Sequence, residues 1–132
     1  MRNKIIILLV FLVPLAVFAF LQHTTKDYAA NATVQSQASS KGKLLKFFSP
    51  MCSECKKVGA NVSSVMKDYG DYIIYEEIDV SNKDQKTQNL IEAYKVTVVP
   101  TVIFIDKDGK TVNKSEGMIE EIEIRNNLDT IK

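Results

Sequence analysis

The sequence predicts an α/β domain: a four-stranded mixed sheet with helices on both faces, in the order β-α-β-α-β-β-α. Two observations carry this. Short runs rich in β-branched and aromatic residues alternate with segments whose apolar residues recur at helical spacing, and strands joined by helices lie parallel. The last two runs are joined instead by Asp106-Lys107-Asp108-Gly109, a hairpin turn signal, so they lie antiparallel. Composition also divides the 132 residues, and only 43–132 read as a folded unit.

Residues 1–21 place Arg2 and Lys4 before an uncharged apolar run from Ile5 to Leu21. This is the pattern of a signal peptide or an uncleaved signal anchor. As a helix the run rises roughly 25 Å, the short limit for spanning a bilayer. Val17-Phe18-Ala19 offers a small-residue cleavage site, but Phe20 and Leu21 continue the run. The leading positive charges predict an inside N-terminus and an exported remainder. The expected location is a single-pass attachment to the cell membrane with the domain outside, or secretion after cleavage. Residues 22–42 are rich in Gln, Ser, Thr, Ala and Asn, and too poor in large apolar residues to offset ordering entropy. They read as a flexible polar tether with a span of roughly 25 Å; His23 lies in it.

Within 43–132 each element has a local cause. KLLKFF (43–48) is an apolar run ended by Ser49-Pro50 and reads as a buried strand. Cys55, Val58, Val62, Val65, Met66 and Tyr69 then recur at helical spacing up to Gly70. YIIYEEIDV (72–80) is a second strand, and Ser81-Asn82-Lys83-Asp84 a polar turn and cap. Leu90, Ile91 and Tyr94 mark a second amphipathic helix. VTVVPTVIFI (96–105) is a strand interrupted by Pro100, and 110–113 a short return strand. Gly117 precedes a last helix with Met118, Ile119, Ile122, Ile124 and Leu128 as apolar candidates.

Composition excludes several functions. Formal net charge is +1, and 13 basic against 15 acidic residues leave 43–132 near −2, so no nucleic-acid partner is implied. The single His rules out multi-histidine metal sites and leaves little room for a His-based triad. No Gly-rich phosphate loop is present. Sequons at Asn31, Asn61 and Asn113 matter only in a eukaryotic secretory host.

The chemistry sits at Cys52-Ser53-Glu54-Cys55. A lone C-x-x-C is a weak signal, but this one follows a buried strand and opens a helix. Free N–H groups and the helix dipole there favour an anion, so a thiolate at Cys52 gains nucleophilicity near neutral pH. Cys55 lies one turn on and can attack a mixed disulfide. Zinc is the rival use, yet no further Cys exists to complete a site within one chain. A purely structural disulfide would close a loop too small to add much stability. At Val99-Pro100 the proline either makes a cis peptide at a strand entrance or marks an edge or loop position.

FFSPMCSECKK, YEEIDVSN, YKVTVVPTVIFIDKDGK and the Gly117-led helix together resemble the thioredoxin-like superfamily, over about 43–132. The chain looks closest to membrane-tethered or exported bacterial members. The resemblance implies that Cys52 is the attacking cysteine, Cys55 the buried resolving one and Pro100 a cis-proline beside the dithiol. It implies that Val99 bonds an extended substrate segment through its backbone, with Met51 also meeting substrate. It implies a monomeric protein thiol–disulfide oxidoreductase that needs no cofactor beyond its own redox-active disulfide and no metal. Its partners would be cysteine-containing proteins and a membrane redox protein for recycling.

The sequence departs from the family. Thioredoxins proper carry Trp before the first cysteine and Gly-Pro between the pair, where this chain has Met51 and Ser53-Glu54. They also carry a buried Asp in the preceding strand, where this chain has Lys46. Lys46 could stabilise a thiolate, pair with Glu76 or Glu77, or snorkel to solvent. The family's extra N-terminal strand and helix are missing or reduced to part of 30–42. Glu54 disfavours a neighbouring thiolate while Lys56 and Lys57 oppose it, a slight lean towards reductase. Two other readings stand beside the enzyme: a redox-inert binding module on the same fold, and a dimer sharing four thiolates in metal handling.

Overall fold

The computed structural model describes residues 39–132. The export segment expected at 1–21, and His23 with 22–38 of the expected tether, lie outside the described residues. Four strands and three helices follow: β1 (Gly42–Phe48), α1 (Ser53–Tyr69), β2 (Ile73–Asp79), α2 (Gln85–Ala93), β3 (Thr101–Ile105), β4 (Thr111–Glu116) and α3 (Glu121–Ile131). The sheet order is β2-β1-β3-β4, with β1 and β2 parallel and the other pairs antiparallel. The four-stranded mixed sheet and its element order are as predicted. One direction differs: β3, joined to β2 through α2 and so expected parallel, runs antiparallel to β1. The connection returns the chain to the sheet end where β2 finished, so that Ile78 and Thr101 both pair with Phe47. Among the described residues no helix is long and apolar enough to cross a membrane.

β1 is central and covered on both faces, which is why its sequence reads as an apolar run. Leu44 faces Val58, Val62 and Val65 of α1 and Ile124, Leu128 and Ile131 of α3 in one core cluster. Leu45 and Phe47 face the other way, into a cluster that Leu90, Ile91 and Tyr94 close from the α2 side. The strand starts at Gly42, one residue inside the expected tether. Ser39 N–H donates to the Lys107 carbonyl at 3.0 Å, so the approach to β1 is already tied to the sheet's hairpin. A Cβ at Gly42 would overlap the Ile131 carbonyl oxygen, which is backbone and cannot swing away. Gly42→Ala is therefore expected to destabilise the domain by about 1–3 kcal/mol, measured by urea unfolding.

Asp84 caps α2, its carboxylate accepting from Thr87 N–H at 2.9 Å and Thr87 Oγ1 at 2.7 Å. Three further expectations shift. The strand expected over 96–105 is confined to Thr101–Ile105, because Pro100 has no N–H for a ladder and Lys95 turns the chain with φ +50°. β4, expected over 110–113, runs on to Glu116, since an edge strand needs only backbone pairing and polar side chains suit its open side. In the last segment Met118 and Ile122 are exposed rather than in the core, whereas Ile119, Ile124, Leu128 and Ile131 are buried. The helix starts only at Glu121, so its inward face runs 124, 128, 131 and Ile122 falls on the outer side. Gly117 has φ +87° and donates its N–H to the Pro100 carbonyl at 2.8 Å, fastening that helix's approach to the proline. Asn61 Nδ2 also donates to the Ile119 carbonyl, a structural use for a residue noted only as a sequon.

Candidate active site

β1 ends at Phe48, and the turn through Ser49 and Pro50 brings the chain into α1, with Cys52 N–H donating to the Ser49 carbonyl at 3.0 Å. Cys52 is the N-cap: its backbone is extended, and its Sγ accepts the N–H of Cys55 at 3.1 Å. The attacking position expected from the sequence is thus occupied by a sulfur that already receives a helix N–H. In the thiolate state the same bond becomes charge-assisted. Cys55 lies one turn on, 2% exposed, and is disulfide-bonded to Cys52 with the Cα atoms 5.2 Å apart. Cys52 is thus half-buried and Cys55 almost wholly buried.

The other expected residues take distinct places. Met51 is 96% exposed beside the dithiol. Pro100 is buried, Val99 half-buried, and their peptide is cis. β3 runs antiparallel to β1 with Thr101 opposite Phe47, so Pro100 lies at the sheet end where β1 delivers Cys52. Glu54 is exposed on the first turn of α1.

Lys46 does not snorkel. It is 5% exposed and ion-paired with Glu77, the residue opposite it on β2. Its ammonium also lies 5.2 Å from the centre of the Phe48 ring. Tyr75 OH donates to the same carboxylate oxygen of Glu77 at 2.5 Å. The bond from Lys46, then that from Tyr75, hold the Glu77 carboxyl below its ordinary value. Burial and the Glu77 bond push the Tyr75 phenol up. Lys46 and Glu77 line a cavity of about 310 Å³ whose wall also includes Phe48, Pro50, Cys55 and Gly59. Tyr75 and Gly59 were not singled out from sequence. Parallel pairing of β1 with β2 in this register is the signal that chooses Glu77 over Glu76.

A second cavity lies by Asp68 and Tyr69, a whole α1 length from Cys52, or about 25 Å. Its charges are all paired: Arg125 with Asp68 of the same wall, and Lys132 with Asp129 three residues before it, each at 2.8 Å. Among the described residues no three His, Cys, Asp or Glu side chains gather as metal ligands.

Residues 29–132 match the model of a family described as "Thioredoxin-like domain". The rice thioredoxin-like protein HCF164, chloroplastic, is 31% identical over 86 residues, covering 64% of this chain and 32% of that protein. The thiol:disulfide interchange protein DsbD of Photorhabdus laumondii is 28% identical over 85 residues, 62% of this chain and 15% of that protein. The chain thus spans about a third or less of these two relatives' length. Among solved structures, Fasciola hepatica thioredoxin has a TM-score of 0.59 at 25% identity, over 73% of this chain and 86% of that one. The exposed lipoprotein thioredoxin Etrx1 of Streptococcus pneumoniae gives 0.60 at 25% identity, over 73% and 89%.

Proposed function

The chain belongs to the thioredoxin-like family, and from that premise we propose that it is a protein thiol–disulfide oxidoreductase working outside the cytoplasm. The observation that carries this is the Cys52 sulfur at the N-cap of α1, bonded by the Cys55 N–H, with the buried Cys55 sulfur within disulfide reach. In the reducing direction the Cys52 thiolate attacks a substrate cystine. A Cys52–substrate S–S bond forms, and the substrate's other sulfur leaves with the electron pair and takes up a proton. Cys55 then loses its proton and attacks Cys52 Sγ. The Cys52–Cys55 bond forms, the mixed disulfide breaks, and the second substrate sulfur leaves as a thiolate. Two electrons pass from the dithiol to the substrate. Met51, Val99 and Pro100 would receive the substrate segment around the exposed sulfur, in a strand-like mode.

The finer reading is an exported protein whose 1–21 segment anchors it or is cleaved, with 22–42 as tether and 43–132 as the redox domain. Arg2 and Lys4 ahead of the apolar run support it. So does the likeness to an exposed lipoprotein thioredoxin and to a chloroplastic thioredoxin-like protein. Electrons would come from a membrane redox partner. The lean is to reductase, since Glu54 on the first turn works against charge on the dithiol and favours the disulfide form, although Lys56 and Lys57 pull the other way.

The test uses the full chain. With dithiothreitol it is expected to accelerate insulin reduction and to titrate as a two-electron couple against glutathione. Cys55→Ser is expected to accumulate a one-to-one adduct through Cys52. A disulfide that millimolar dithiothreitol leaves closed would overturn the enzyme and favour a redox-inert binding module. Metal retained by a reduced dimer would favour metal handling.

A further inference from the structure

We infer that the buried ammonium of Lys46, held by Glu77 in the cavity that Cys55 also lines, is the group that readies the resolving thiol for attack. This deepens the oxidoreductase reading and rests on it. Cys55 is almost wholly buried, and burial alone works against its thiolate. Yet the second half of the exchange needs that thiolate. A carboxylate accepting the proton would be one solution, but among the described residues the only carboxylate lining this cavity is Glu77. Its oxygen is taken by Lys46 and Tyr75, and both bonds hold it below the ordinary carboxylate range, which makes it a weak proton acceptor. What the cavity offers Cys55 instead is positive charge in a poorly screened place.

The neighbouring charges come from three elements. β1 supplies Lys46, β2 supplies Glu77 with the Tyr75 phenol, and α1 supplies Lys56, exposed and screened by solvent. The fold makes room for the ammonium. A Cβ at Gly59 of α1 would come within 2.7 Å of Lys46 Nζ, so glycine there lets the ammonium approach the helix that carries Cys55. In the step itself the Cys55 proton goes to solvent, and the sulfur's electron pair makes the bond to Cys52 while the substrate sulfur leaves. Lys46 acts only through its field, and Glu77 is a positioning residue that fixes and partly neutralises it.

The two partners therefore have opposite signs, which a structural role would not give. Lys46→Met keeps length and removes charge, and Glu77, 45% exposed, stays solvated without its partner. This variant is expected to destabilise the reduced form about tenfold, which makes the couple about 30 mV more reducing. It should also raise the pH at which the potential changes slope as Cys55 ionises, and lengthen the life of the mixed disulfide. Glu77→Gln unmasks the ammonium and is expected to make the couple less reducing. Gly59→Ala displaces the ammonium and should follow Lys46→Met in direction while leaving the helix intact. Potentials of the full chain are measured from pH 6 to 10, with melting curves as a check on folding. A wild-type couple with Lys46→Met and Glu77→Gln shifting the same way, or neither shifting, overturns the inference and leaves the oxidoreductase reading standing. A wild type with no couple at all overturns the reading itself.

Discussion

Cys52→Ser is expected to leave a folded protein whose insulin reduction falls to the uncatalysed background. The two halves of that result have separate causes. Activity is lost because a serine hydroxyl neither ionises near neutral pH nor forms a disulfide, and Cys55 beneath it is 2% exposed and closed to a substrate cystine. The fold survives because residue 52 is also a helix cap. Its side chain accepts the Cys55 N–H at 3.1 Å, and serine is among the residues that do this best. The four-residue disulfide loop constrains the unfolded chain little. The melting temperature should therefore match that of reduced wild type. Cys52→Ala, which removes the cap as well, should lower stability by about 1 kcal/mol. Turnover in the serine variant within tenfold of wild type would show that the reaction does not pass through this sulfur.

Phe104→Ala is expected to remove about 3–5 kcal/mol of stability, enough to leave a domain of this size marginal or unfolded at 37 °C. Phe104 is fully buried in β3, opposite Leu44 in the β1 register and Asn113 in the β4 register. It belongs to the cluster in which Val58 and Val62 of α1 meet Ile124 and Leu128 of α3. Removing the ring opens a cavity between packed strands and two helices, and the close-packed layer relaxes only partly around it. Urea unfolding should show a lower midpoint at unchanged slope, and a loss under 1 kcal/mol would mean that the layer collapses around the gap. The variant also separates core from site: the folded fraction should keep the wild-type reduction potential.

Where the sequence was legible, one local signal decided the outcome. The apolar run 43–48 could only be a strand buried on both faces, and helical spacing from Cys55 to Val65 left one inward stripe. The dithiol was legible for the same reason, since strand, turn and helix follow one another without a gap. Where the outcome depended on partners distant in the chain, the reading was blunter. β4 runs past Asn113 because β3 offers it a backbone ladder, which no local propensity reports. Ile122 and Met118 were placed inside because the starting point of α3 sets the phase of its face, and nothing before Glu121 fixes that start in the sequence. The fate of Lys46 turned on register: the sequence leaves it stabilising a thiolate, pairing with Glu76 or Glu77, or reaching solvent, and only the strand beside it puts Glu77 opposite.

The described chain enters the sheet at Gly42 and reaches the reactive sulfur just beyond Phe48, about 20 Å further along the same strand. Of the pair, Cys52 is half-buried and Cys55 is 2% exposed, so a visitor meets Cys52 first. Any donor that recharges the dithiol must come through the doorway the acceptor has just left. On the proposed function the two visitors cannot be seated together, so turnover is expected to run as a ping-pong cycle, with parallel lines in double-reciprocal plots and each visitor competing against the other's form of the protein.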